Sequence, residues 1–184
     1  MDDGDEAARR MPEAAPMIEI ERKFLVRDMD FGTQRSSRRI EQGYLFSTPE
    51  RNLRVRRSGD DYTLTLKVRA GGISRHEIET AIDAEQGQRM LDLLCVGQPI
   101  RKTRHIVDHA GKTWEIDVFD GANAGLVVAE IELSSEGEAF EMPPWAGPEV
   151  TDDARFLNAE LSRNPFCDWG VTYAALLAEK DAAT

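Results

Sequence analysis

Met17-Ile-Glu-Ile-Glu-Arg-Lys-Phe-Leu-Val26 alternates with a period of two: Ile18, Ile20 and Phe24 fall on one parity, Glu19, Glu21 and Lys23 on the other. Successive side chains of an extended chain point to opposite faces, so the segment reads as a strand with an apolar face and a face bearing two carboxylates and an amine. Alone, such a strand is most simply a half-solvated one. Working outward, the same parity recurs. Arg54 and Arg56 oppose Leu53 and Val55; Lys67 shares a face with Thr63 and Thr65, opposite Leu64, Leu66 and Val68. Arg75, Glu77 and Glu79 lie on one face, as do Lys102 and Arg104; Glu115 and Asp117 oppose Trp114, Ile116 and Val118, and Glu130 and Glu132 oppose Ala129, Ile131 and Leu133.

Eight antiparallel strands are therefore expected, at 17–26, 39–46, 52–57, 62–69, 74–82, 100–108, 113–119 and 126–133. Ser58-Gly-Asp-Asp61, Ala70-Gly-Gly72 and His109-Ala-Gly111 supply hairpin turns. Three helices are expected as well. Asp83, with Gln86 three residues on, caps one bearing Met90, Leu91, Leu93 and Leu94; Thr151 caps one bearing Phe156, Leu157 and Leu161; Asp168 caps a last one bearing Trp169, Tyr173, Leu176 and Leu177. Residues 1–16, rich in Asp, Glu, Ala and Pro without apolar periodicity, read as a disordered acidic tail, and 17–184 as a single domain.

The chain of 184 residues carries a net charge of -11, which disfavours a uniformly basic nucleic-acid surface. The charge is segregated: residues 51–69 hold six basic and two acidic side chains, residues 121–160 nine acidic against Arg155 alone. Concentrated positive charge in an acidic chain suits a small polyanion. No stretch of about 18 apolar residues is present, the start lacks a signal-peptide core, and Cys95 and Cys167 form no CxxC, so a reducing, cytoplasmic setting without membrane or nucleic-acid partners is expected. Oligomeric state, monomer or homodimer, is left open.

The parity fits an open sheet with its charged face in water, or eight strands closed into a barrel with the charged face inward, wide enough for one small ligand. A charged lumen is costly unless acids hold hard cations and bases hold an anion. Paired carboxylates suit Mg²⁺ or Mn²⁺; Arg forks suit phosphate oxygens. Together they describe a site for a metal-bound oligophosphate.

In their order along the chain these motifs resemble the CYTH, or triphosphate tunnel metalloenzyme, superfamily. They are Glu19-Ile-Glu-Arg-Lys23, Leu53-Arg-Val-Arg56, Leu64-Thr-Leu-Lys67, Arg101-Lys-Thr-Arg104, Trp114-Glu-Ile-Asp-Val-Phe119 and Val128-Ala-Glu-Ile-Glu132. Gly147-Pro-Glu-Val-Thr151 with Arg155-Phe-Leu-Asn158 looks like the bacterial branch. The resemblance implies an α+β, mainly antiparallel fold: an eight-stranded closed tunnel-like barrel with a charged interior and helices packed outside. It implies Glu19, Glu21, Glu130 and Glu132 as metal ligands, with Asp117 as helper. Arg54, Arg56, Lys67, Arg75, Lys102 and Arg104 would bind substrate, and Lys23, Lys102 and Arg104 would act in catalysis, Lys23 as a candidate to orient water.

The activity so implied is divalent-metal-dependent hydrolysis of inorganic triphosphate or related triphosphates. A class IV adenylyl cyclase and a thiamine triphosphatase are enzymatic alternatives, and a polyphosphate-binding module is the non-enzymatic one. Acidic side chains in the lumen would repel a bare anion, which favours a metal-dependent enzyme. His76, His105 and His109 share no ligand spacing and are assigned no role.

Overall fold

A computed structural model describes residues 17–183; the expected tail at 1–16 lies outside them. The strands are β1 (Met17–Val26), β2 (Gln34–Ser47), β3 (Arg51–Ser58), β4 (Asp61–Gly71), β5 (Ser74–Ile82), β6 (Val96–His109), β7 (Lys112–Asp120), β8 (Val127–Glu132) and a short β9 (Ala146–Glu149). β1 to β8 close into an antiparallel barrel in the order β1-β5-β4-β3-β2-β6-β7-β8, with β8 returning to β1. The closed alternative is thus the one adopted.

β9 is an addition to the eight expected strands. It pairs Glu149 with Phe24 and Ala146 with Val26, beyond the stretch of β1 (Met17 to Ile20) that pairs with β5. With four residues including Pro148, it offers no period-two signal of its own. The β6–β7 hairpin turns on Ala110 (φ 48°) and Gly111 (φ 78°), two successive positive φ values as a type I′ turn requires.

Outward-facing Ile20, Phe24, Trp114, Ile116, Ala129 and Ile131 form an apolar cluster with Trp145 and Phe140 of the segment after β8. Trp114 meets Phe24, Phe140 and Trp145 edge-on at 5.3–5.7 Å between ring centroids. A second cluster has the inward parity: Leu25, Tyr44, Ile100, Phe119 and Val128 continue the lumen-facing rows and are covered by Val150, Phe156, Leu161, Phe166 and Leu176. Part of the lumen is therefore filled with hydrocarbon supplied by the C-terminal segment.

Helix α1 (Ala84–Leu93) lies outside the barrel, its Gly87 against the ring of Tyr62, and Asp83 caps it by accepting from the N–H groups of Glu85 and Gln86. Helices α2 (Asn158–Leu161) and α3 (Tyr173–Asp181) are capped differently from expectation. Thr151 caps no helix among the described residues: its hydroxyl accepts from the Lys23 N–H at 3.0 Å and donates to Glu149, tying the turn after β9 to β1. Asp153 instead accepts from Arg155 N–H at the 3-10 turn Ala154–Phe156. Asp168 ends another 3-10 turn, and Thr172 caps α3 through Ala175 N–H.

Tyr173 joins α3 to the barrel wall. Its hydroxyl accepts from Val26 N–H at 2.8 Å and lies 2.9 and 2.8 Å from the carbonyl oxygens of Val26 and Val127, to which its one proton is available. Burial pushes this phenol up to about 12, against the opposing pull of the Val26 N–H. The fold thus favours the protonated form: stability is complete below pH 10 and falls as pH rises towards 12. Thermal unfolding of the wild type should lose about 2 kcal/mol across that interval relative to Tyr173→Phe, which lacks the titrating group. Phe156→Ala, removing a ring that is 1% exposed, should cost about 3–5 kcal/mol in denaturant unfolding at neutral pH.

Candidate active site

The register sets the charged parity on one lumen-facing surface. Arg54 stands opposite Thr65, and Thr65 opposite Glu79; Lys67 stands opposite Glu77; Arg75 stands between Arg69 and Glu19. On the other side Arg104 stands opposite Asp117, Glu115 opposite Glu130, Glu130 opposite Lys23, and Glu132 opposite Glu21. These rows enclose a cavity of about 650 Å³ lined by Glu19, Glu21, Lys23, Arg54, Arg56, Lys67, Arg75, Arg104, Glu130 and Glu132, with Glu77, Glu79 and Glu115.

A chain of ion pairs forms its floor. Asp117 has no exposed side-chain surface and accepts from Lys102 Nζ and from Arg104, Nε at 2.7 Å and Nη2 at 2.6 Å. Arg104 Nη2 also donates to Glu130 Oε2 at 2.7 Å, and its Nη1 to Glu115. Lys23 Nζ donates to the other Glu130 oxygen at 2.5 Å and to Glu21. Lys67 Nζ reaches Glu19 at 2.5 and 2.7 Å and Glu77 at 2.8 Å.

Two of the expected site residues lie behind the cavity wall. Asp117, expected as a metal helper, is absent from the cavity lining and has both oxygens bonded to cations behind it. Lys102, expected on substrate, has no exposed side-chain surface and packs its ammonium over Phe119 at 5.4 Å. Alternation assigns a face but cannot say how deep along that face a side chain sits. Glu115, by contrast, lines the cavity and holds Arg104; its position two residues before Asp117 was the available signal. Gln42, fully buried, accepts from Arg56 Nε at 3.3 Å and had no charge to mark it.

The electrostatics divide into two walls. Burial, then the charges of Glu19, Glu115, Glu21 and Glu77, push the Glu132 carboxyl up, so negative charge is crowded there. Across the lumen, burial and the neighbouring Arg54 and Arg104 push Arg56 down to about 10, and among the described residues the buried Nε of Arg54 has no hydrogen-bond partner. Burial opposes the charge of Lys23, but Glu130 and Glu21 more than offset it and hold the amine protonated. Likewise Lys23 and Arg104 overcome burial to keep Glu130 far below the usual carboxylate range. Carboxylates crowded about Glu132 on one side of the lumen and guanidiniums crowded about Arg56 on the other fit a hard cation bound with a polyanion.

Relatives place this geometry in context. A protein of Acetivibrio thermocellus named inorganic triphosphatase is 41% identical over 148 residues, covering 80% of this chain and 95% of the relative. A protein of the same name from Nitrosomonas europaea is 41% identical over 152 residues, covering 79% and 97%. A crystal structure described as an inorganic triphosphatase is similar at a TM-score of 0.60 and 37% identity, covering 78% of this chain and 93% of that one. The CYTH domain itself matches residues 17–161, the whole of the barrel and the α2 segment, and the chain belongs to the CYTH domain family.

Proposed function

We propose that this chain hydrolyses inorganic triphosphate with the help of a divalent cation, Mg²⁺ or Mn²⁺. The observation that carries the reading is the charge-divided cavity, supported by the two inorganic triphosphatases to which the chain is 41% identical. Glu19, Glu21 and Glu132, which line the cavity with negative charge crowded about Glu132, would hold the cation. When bound, it neutralises phosphoryl oxygens and activates water.

The basic wall does the rest. Phosphoryl transfer depends mainly on positioning and on charge neutralisation at the transferring group. Arg54 and Arg56 offer guanidinium forks to phosphate oxygens, and Lys67 adds a point charge. Arg104, fixed by Asp117, Glu115 and Glu130, can turn little and therefore presents its charge at a set place. Lys23, held protonated between Glu21 and Glu130, acts as an electrostatic partner of the phosphoryl group and orients water as a donor, not as a base. Asp117 and Lys102 are positioning residues beneath Arg104.

Phosphate release should be measured from inorganic triphosphate, pyrophosphate, ATP and thiamine triphosphate, with Mg²⁺, Mn²⁺ or EDTA. Triphosphate should be the best substrate, EDTA should abolish turnover, and Glu21→Gln and Arg54→Ala should each lower kcat/KM by about 100-fold or more. Cyclic AMP formed from ATP faster than phosphate is released would replace the hydrolase by a cyclase. Tight triphosphate binding without turnover, independent of metal and of Glu19 and Glu132, would leave a binding module. Asp117→Asn, which leaves Arg104 and Lys102 under-neutralised in the interior, should cost about 3–5 kcal/mol of stability in urea unfolding.

A further inference from the structure

The β4–β5 hairpin carries a ladder of lumen-facing pairs. Thr65 donates to Glu79 at 2.7 Å, and Lys67 meets Glu77 at 2.8 Å, so each of the two inner rungs joins complementary groups. The next rung breaks the rule: Arg69 stands directly opposite Arg75. Like charges in direct cross-strand register are unfavourable. Both line the cavity, and among the described residues neither guanidinium makes a hydrogen bond or ion pair, although Glu19 stands opposite Arg75 and is occupied by Lys67. The rung sits just inside the hairpin tip, with Arg69 exposed and Arg75 half-buried, where the cavity meets solvent.

We propose that Arg69 and Arg75 form an outer anion subsite that takes the fourth phosphate of a linear inorganic polyphosphate, next to the triphosphate site from which this inference follows. Two facing guanidiniums can each present a fork to one phosphate group, and bound anion removes their mutual repulsion. The inner rungs, where each group already has a partner, discriminate little by chain length; the outer rung responds only to a chain long enough to reach it. Arg69 is thus a determinant of chain-length preference and not of the reaction at the inner phosphates.

The test compares inorganic triphosphate with inorganic tetraphosphate in the wild type, Arg69→Gln, Arg69→Lys and Arg89→Gln, the last an exposed α1 arginine outside the cavity that controls for net charge. KM for tetraphosphate should rise by about tenfold in Arg69→Gln, with KM for triphosphate within about twofold of wild type, partial recovery in Arg69→Lys and no change in Arg89→Gln. Equal changes for both substrates, or none for tetraphosphate, would overturn the subsite. Calorimetric binding of the two anions in metal-free buffer gives the same comparison without turnover. An enzyme that releases no phosphate yet shows the Arg69-dependent preference would sink the hydrolase and keep the subsite; one that hydrolyses triphosphate without that preference would do the reverse.

Discussion

The chain of buried ion pairs from Lys102 through Asp117, Arg104 and Glu130 to Lys23 and Glu21 is the constraint on which the site depends. Its members come from four consecutive barrel strands, β6, β7, β8 and β1. Isolated, any one of these charges would be expensive to bury; linked, each serves as another's counter-charge. A slip of one residue in any of the four strands would turn its charges to the outer face, and in β7 or β8 it would put Trp114 and Ile116, or Ile131, in the lumen. Function and register are thus specified by the same contacts.

This arrangement also explains why acids and bases coexist in one lumen without collapsing into a fully neutral network. Behind the cavity, at Asp117 and Lys102, the charges are paired with one another and, through Asp117, with Arg104, and are almost fully buried. Where the lumen widens into the cavity, Glu132 and Arg56 are left with neighbours of like sign. Positioning and ligand capture are divided by depth, and the inner layer holds the outer one in place.

Most of the barrel was legible because parity is a local property. Glu19, Glu21, Arg54, Arg56, Lys67, Arg104, Glu130 and Glu132 share one lining because each occupies the inward position of its strand. Depth is a property of neighbours, and so the roles of Asp117 and Lys102 could not be read the same way. Helix ends failed for a related reason. Thr151 and Asp168 have the side chains a cap needs, but tertiary partners and 3-10 turns decide where the helices begin, and Asp153 and Thr172 carry the terminal N–H bonds. β9 is too short, and too occupied by Gly147 and Pro148, to leave a pattern.

Tyr173 lies twelve residues beyond the end of the CYTH match at Leu161, yet its hydroxyl serves backbone groups of both Val26 and Val127, where β1 leaves the barrel and β8 enters it. Leu176, on the same helix, is fully buried among inward-facing residues of the barrel. The recognisable sequence unit is consequently shorter than the packed one. Divergence in this trailing segment among relatives would alter how firmly the barrel seam is held while leaving every charged motif untouched.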